Sequence, residues 1–464
     1  MPTTSPLDIP AIDLPAPGPR SARTILSSSA HVPPGRTRTL RVGLVGLGTV
    51  GQGLVGLLAR KGPEILARHG VGFRFERVLV RDPAKVRATA PDEAELTADP
   101  EVFLSGTYDV VVEAAGGLEP VGGYVERLLR RGIPVVTANK ALLAERGDVL
   151  AELAAASGAS LRGEASVAAG IPLLGLLERA LLTTTVTRVT GILNATSLVV
   201  LGGIARGATL EAALSEAQGR GFAEADASLD VSGLDAAQKL TVLVRALCGR
   251  TLPWTAIEVE GIERVRAVDA ERARVVGGRL RPVACADLSP DRPRGWVAPA
   301  FVPDGHPLAC VEGGGNGVLL EGDTLEDLFL AGPGAGALPT AASILDDLLA
   351  VARGEGAPLA SRARAPGLAS VAPGPCAPPV TGWFLSVDLS LRRDSASEAL
   401  RALDLAGLRA RSLREPPGSA PALVVETFPA PRSAIVSFER RARRAEALLD
   451  LRAYRTVEPR PARG

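Results

Sequence analysis

A short apolar strand runs directly into Gly46-Leu47-Gly48-Thr49-Val50-Gly51, and an apolar helix follows. Glycines at that spacing, between a strand and a helix, leave few folds open. The first permits a tight turn, the second lets backbone approach a pyrophosphate, and the third lets the helix pack closely on the strand. The helix then opens with amides at Thr49 and Val50, which suit bound phosphates. Gly46, Gly48, Thr49, Val50 and Gly51 are therefore candidate cofactor-binding residues. The first strand is read at 41–45, with further strands at 76–81, 108–113 and 133–137 and a helix from Pro120. Strands alternating with helices predict a Rossmann-type, doubly wound parallel sheet in an α/β protein. The second strand ends at Arg81-Asp82. An arginine there suits a 2′-phosphate and a carboxylate a free ribose hydroxyl, so NADP and NAD both stay open, with Arg81 favouring NADP.

Of the 52 basic residues, four are lysine: Lys61, Lys85, Lys140 and Lys239. Arginine stays protonated in proteins, whereas a compact lysine ammonium can shift its pKa and exchange a proton. Lys61 and Lys85 read as solvated charges. Lys140 and Lys239 stand inside motif-like stretches. Asp235 and Lys239 are four apart on a mostly apolar helix, which places both on one face. Glu224, Asp230 and Asp235 precede that lysine and are disposed to hold an ammonium group. A lysine of lowered pKa would suit the proton that leaves a hydroxyl as hydride leaves its carbon.

A net charge of +1 and 3% aromatic residues give no case for nucleic acid or an anionic membrane. No apolar run is long enough to span a bilayer. The four cysteines are widely spaced, which fits neither zinc nor a disulfide framework. A soluble cytoplasmic protein is the expectation. The parsing is a disordered extension over 1–38, a dinucleotide domain over 39–160, a mixed α+β catalytic and dimerisation domain over 161–353, a linker over 354–379, and a final domain over 380–459. In the second of these, 183–194 reads as a strand and 210–219 and 235–247 as helices. The final domain reads as strand 382–391, helix 395–405, strands 408–414 and 422–428, helix 432–451 and strand 453–458. That order is a βαββαβ, ferredoxin-like module.

Over about residues 40–353 the chain resembles the homoserine dehydrogenase family. The resemblance rests on GLVGLGTVG (43–51), VVEAAGG (111–117), VTANKALLA (136–144), GEASVAAGIP (163–172), GFAEADASLDVSGLDAAQKL (221–240) and GPGAGALPTAASILDDLL (332–349). It implies NAD(P)-dependent interconversion of L-homoserine and L-aspartate 4-semialdehyde, in threonine, methionine and isoleucine biosynthesis. It implies that Lys239 carries the proton and that Lys140 lies near the nicotinamide and the reacting oxygen. Glu224 and Asp235 would bind the amino-acid substrate with Asp230 in support, and Gly116 and Gly336 would line the cofactor. Glu164 and the carbonyls of Val167, Ala169 and Ile171 would hold a monovalent cation, sodium. A homo-oligomer, dimer or higher, is implied as well.

The chain departs from the family in places. The family's N-G-T-x-N-Y-I is Asn194-Ala195-Thr196-Ser197-Leu198-Val199-Val200 here, and its A-D-P is Ala225-Asp226-Ala227. The C-terminal module stands where many bacterial members carry an ACT regulatory domain, but the D-x-P-G-like turn is replaced by Leu391-Arg392-Arg393-Asp394-Ser395. Two rival readings follow from these departures: a catalytically weakened paralogue that binds cofactor or amino acid to regulate, and a dehydrogenase of a related amino-hydroxy acid.

Overall fold

The computed structural model describes residues 37–92, 94–288, 292–355, 359, 380–417 and 420–457. The extension read at 1–38, the linker at 354–379 and the end of the last expected strand fall almost wholly outside them.

The first sheet contains β1 (Arg38–Val45), β2 (Val71–Leu79), β3 (Glu95–Thr97), β4 (Val110–Glu113), β5 (Val135–Thr137) and β6 (Leu161–Arg162), all parallel, in the order β3-β2-β1-β4-β5-β6. Helices α1 (Thr49–His69), α2 (Pro100–Leu104), α3 (Val121–Arg130) and α4 (Lys140–Ser157) connect it. This is the doubly wound sheet expected from the sequence. Val110, Val111 and Val112 are fully buried, as a strand covered on both faces requires. The order reverses between β1 and β4, which opens a crevice beyond their carboxyl ends. The second strand begins earlier and ends earlier than 76–81, because Val71 already pairs with Arg38. The two- and three-residue strands β6 and β3 are too short to leave a periodic signal.

Next come α5 (Leu173–Arg179), β7 (Val186–Ile192), α6 (Ala195–Ala205), α7 (Leu210–Gly219), α8 (Ser228–Val231) and α9 (Leu234–Cys248). They are followed by β8 (Glu258–Val259), α10 (Ala267–Val275), β9 (Gly278–Asp287), β10 (Arg294–Pro303), β11 (Gly315–Gly322), β12 (Asp327–Pro333) and α11 (Ala337–Ala352). Helix α11 returns to the first sheet, where Ala341, Ile344, Leu345, Leu348 and Leu349 join the core of β1 and α1. Gly53 of α1 makes that approach possible, since a Cβ there would lie 2.9 Å from the Ala337 carbonyl oxygen.

The C-terminal segment contributes β13 (Gly382–Leu389), helix Ser395–Leu405, β14 (Ala410–Arg414), β15 (Ala422–Thr427), helix Arg432–Arg444 and β16 (Leu448–Thr456). Its strands are antiparallel in the order β16-β13-β15-β14, and β16 also pairs in parallel with β10. One continuous second sheet results, β12-β11-β7-β9-β10-β16-β13-β15-β14, with β8 on β10. The helix expected over 432–451 stops at Arg444. Glu446 turns the chain with a φ of 52°, and Leu448 opens the last strand against Leu389. Among the described residues, no helix is long and apolar enough to cross a membrane.

Candidate active site

The crevice at the β1/β4 reversal is shaped by its glycines. Gly46 has φ 93°, and a Cβ on it would lie 2.8 Å from the backbone of Ala115. A Cβ on Gly51 would lie 2.4 Å from the Gly46 carbonyl oxygen. Gly48 stands at the N-cap of α1, ahead of Thr49 and Val50, with open space where a Cβ would be. Gly116 (φ 73°) borders the same crevice in the turn after β4. Gly336 (φ 120°) caps α11 beside α1.

Arg81 is exposed beyond the end of β2. Asp82 accepts a hydrogen bond from the Ala84 amide at 2.9 Å, and Arg87 donates to the carbonyls of Asp82 and Lys85. Thr89 donates its amide to the Gln52 side chain of α1, which folds this basic turn over the helix.

Two helix starts bring the lysines together. Lys140 opens α4, whose N-cap Asn139 accepts the Leu142 amide. Gly233, with φ 83°, opens α9. Asp235 is buried between them. Its Oδ1 lies 3.0 Å from Lys140 Nζ, and its Oδ2 lies 2.7 Å from Lys239 Nζ. Lys239 also donates to the Leu193 carbonyl at 2.9 Å. Asn194 donates to Asp230 at 2.6 Å and to Asp235 at 2.8 Å, and accepts the Ser197 amide, so it caps α6 and ties two carboxylates together. Ser197 donates to the Asp230 carbonyl and Thr196 to the Phe222 carbonyl, so the altered 194–200 segment still anchors the acidic loop. Glu224 is exposed at the edge of this pocket, close enough to act on Lys140 electrostatically.

Burial works against the Asp235 carboxylate, but Lys239, Lys140 and the Asn194 amide pull its pKa down to about 2. Burial likewise opposes the Lys140 ammonium, yet Asp235, then Asp230 and Glu224, outweigh it and raise the pKa. Three carboxylates, Asp235 foremost, favour the charged form more strongly than burial disfavours it. Burial raises the pKa of Asp230, with Asn194 opposing.

Sequence reasoning did not single out the Leu193 carbonyl that meets Lys239, or Glu113, Thr137 and Asn139, which hydrogen-bond to one another after β4 and β5. A lone carboxylate closing an otherwise all-valine strand was the available signal for Glu113.

Residues 163–169 and Ile171 are buried, and Pro172 is exposed. Glu164 accepts the amides of Leu173, Leu174 and Gly175 and so caps α5. The Ala169 carbonyl accepts the Ser343 hydroxyl, and that of Ile171 accepts the Leu173 amide. Val167 is buried in the same loop, and Ala169 has φ 47°. Among the described residues, no group of three or more His, Cys, Asp or Glu side chains is arranged to hold a metal.

Comparison with known proteins agrees with this geometry. The sequence model of homoserine dehydrogenase matches residues 172–349, and that of the homoserine dehydrogenase NAD binding domain matches residues 46–164. The homoserine dehydrogenase of Bacillus subtilis is 36% identical over 316 residues, covering 68% of this chain and 73% of that one. The Pseudomonas aeruginosa enzyme is 35% identical over 318 residues, with coverages of 68% and 73%. The crystal structure of a homoserine dehydrogenase from Thiobacillus denitrificans superposes with TM-score 0.82 at 30% identity, covering 91% of this chain and 99% of that chain. A hyperthermophilic archaeal homoserine dehydrogenase mutant in complex with NADPH superposes with TM-score 0.58 at 26% identity, covering 68% of this chain and 98% of that chain. With a dinucleotide crevice and a lysine pair bridged by one aspartate, the chain belongs to the homoserine dehydrogenase family.

Proposed function

We propose that the protein interconverts L-homoserine and L-aspartate 4-semialdehyde with a nicotinamide dinucleotide, NADP in preference to NAD. The observation that carries this is Asp235 holding Lys140 and Lys239 on its two oxygens at the mouth of the crevice. The cofactor supplies or accepts the hydride. The residues of the chain bind, orient and move the proton. An ammonium has three N–H donors. Lys239 engages two on Asp235 and Leu193, and the third serves the substrate oxygen, donating its proton as the aldehyde is reduced. Lys140 holds the same oxygen. Glu224 and Asp230 take the substrate's amino group, and Asp235 adds its charge while orienting both lysines. Gly46 to Gly51, Gly116 and Gly336 accommodate the dinucleotide. Arg81, with Lys85 and Arg87 in the same turn, supports the 2′-phosphate. The test is NADP and NAD reduction by the purified protein with L-homoserine. Turnover confined to other hydroxy acids, or none with dinucleotide still bound, would transfer the assignment to one of the rival readings.

The remaining parts of this reading rest on the resemblance. The half-buried Leu328, Phe329 and Leu330 on the edge strand β12 support a homo-oligomer. The cytoplasm is the compartment it implies. The βαββαβ order supports an ACT-like role for the C-terminal module.

A sodium ion on Glu164 and the carbonyls of Val167, Ala169 and Ile171 also belongs to it. The donors are buried oxygens, which suit a hard cation. Negative charge is in surplus there: Glu178 and Asp347 face the buried Arg162, and Glu164 adds its charge beside Asp347. Burial and then Glu164 push Asp347 up to about 7, with Arg162 opposing. An unfolded aspartate titrates near ~3.9. The folded state therefore binds the extra proton between those values, and stability falls as pH rises through that window. Thermal unfolding is expected to show this decline in choline buffer, to show partial recovery with sodium above neutrality, and to lose much of the decline in Asp347→Asn. A melting temperature indifferent to sodium at every pH would argue against the ion.

A further inference from the structure

Glu113 ends β4 and is fully buried behind Val110, Val111 and Val112. A carboxylate in such surroundings must be met by donors. Its donors are specific. Oε1 accepts the amides of Ala115 at 2.8 Å and Gly116 at 2.9 Å, and Oε2 accepts the Thr137 hydroxyl at 2.5 Å. Thr137 Oγ1 in turn accepts the Asn139 amide at 3.0 Å. Asn139 donates its side-chain amide to the Gly117 carbonyl at 2.7 Å and caps α4 through its oxygen. The hydrogen bonds close a ring: Glu113, the 115–117 backbone, Asn139, Thr137 and Glu113 again.

The ring joins two segments that the chemistry needs in register. One is the turn after β4, which lies so close to the dinucleotide turn that Gly46 has no room for a Cβ beside Ala115. The other is the start of α4, where Lys140 follows Asn139 directly. Both turns come off neighbouring parallel strands, β4 and β5, whose pairing ends at Glu113 opposite Thr137. Beyond that pair, the ring is what carries the register forward.

We propose that Glu113 is a positioning residue for the dehydrogenase reaction. Through Thr137 and Asn139 it fixes the 115–117 backbone beneath the dinucleotide and the placement of Lys140. This rests on the assignment of the crevice to the dinucleotide and of Lys140 to the reacting oxygen.

The experiment compares kcat for homoserine oxidation in Glu113→Gln, Thr137→Val, Thr137→Ser and the Glu113→Gln/Thr137→Val double variant. Melting temperature is recorded in parallel. Glutamine keeps an acceptor for the two amides but puts an NH₂ toward Thr137. Valine keeps the volume of threonine and removes the hydroxyl. Misplacement of a reacting group by about 1 Å can cost on the order of 10²-fold. The expectation is a kcat about 10–100-fold lower in Glu113→Gln and Thr137→Val, restored to within about twofold in Thr137→Ser. The double variant should be no worse than the poorer single one, because both break the same link. Should Glu113→Gln fail to fold, the Thr137 pair leaves the carboxylate in place and decides alone. Single variants within about threefold of the native kcat, losses that multiply in the double variant, or a loss that serine does not restore would each overturn the proposal. A native protein inactive on homoserine would instead remove the functional assignment on which it rests.

Discussion

Lys239→Ala is expected to lower kcat for homoserine oxidation by about 10²–10⁴-fold, the range of a positioned general acid or base. Dinucleotide affinity should hardly change, because Lys239 sits on α9, away from the glycine turn. Asp235 anchors both lysines. Its pKa of about 2 keeps it ionised at any working pH, so the bridge to both ammonium groups persists. Lys140, 3.0 Å from Asp235 in the native chain, would keep that partner and, in its proposed role, still polarise the substrate oxygen, which is why some turnover should survive. The Lys239 side chain is largely buried, at 14% exposure, so water replaces its proton poorly. Steady-state rates with NADP, set beside fluorescence titration of NADPH, separate the two effects. A kcat within tenfold of the native value would transfer the proton to Lys140 or to solvent. A large loss of NADPH affinity would show that the substitution disturbs the fold rather than the chemistry.

The parts of this site that were legible in the sequence are those encoded locally. Gly46, Gly48 and Gly51 lie within one turn, and backbone sterics alone give their spacing a meaning. Asp235 and Lys239 share a helix face at a separation of four residues. The scarcity of lysine drew attention to Lys140, but its distance from Asp235 could not be read, because the contact depends on how α4 and α9 pack. Arg245 of α9 makes that packing: it donates to Asp148 at 2.6 Å and to the Leu143 carbonyl, in space that Gly147 leaves open. The same limit hid Glu113, whose donors come from a backbone turn and from the neighbouring strand. The overlong helix at 432–451 is a different failure. Its arginine- and alanine-rich start favours helix, and that signal masks the change of period at Leu448, where burial alternates toward Arg452 and Tyr454. Long-range sheet pairing with β13 decides that segment, not its own propensity.

That last strand leads to the largest stability effect expected in the chain. β16 meets β10 through two register pairs, Ala300 with Arg455 and Phe301 with Thr456, so backbone bonding alone makes a short seam. Side chains extend it. Arg455 lies between the rings of Trp296 and Trp383, about 5 Å from each, and donates to Glu258 at 2.7 Å. Phe301 stacks on Phe384 at 4.9 Å. At the centre is Asp269 of α10, fully buried. It accepts from Arg452 at 2.6 Å, from Ser386 at 2.6 Å and from Tyr454 at 2.8 Å. Arg272, on the same helix, adds bonds to Ser386 and Asp388. Burial opposes the charge on Arg452, and Asp269 and Asp388 more than offset it, so the guanidinium stays ionised. Asp269→Ala would take from Arg452 its most buried partner, leaving it Asp388 and Asp450, and would leave the Ser386 hydroxyl and the Tyr454 phenol without that acceptor. Breaking a buried pair from one side costs about 3–5 kcal/mol. Urea unfolding of the full chain should show a loss of that size, with the C-terminal strands separating in an earlier transition. Asp269→Asn keeps the acceptor oxygen and should lose less. If Asp269→Ala unfolds within about 1 kcal/mol of the native chain, the Arg455 sandwich and the Phe301–Phe384 stack carry the seam instead.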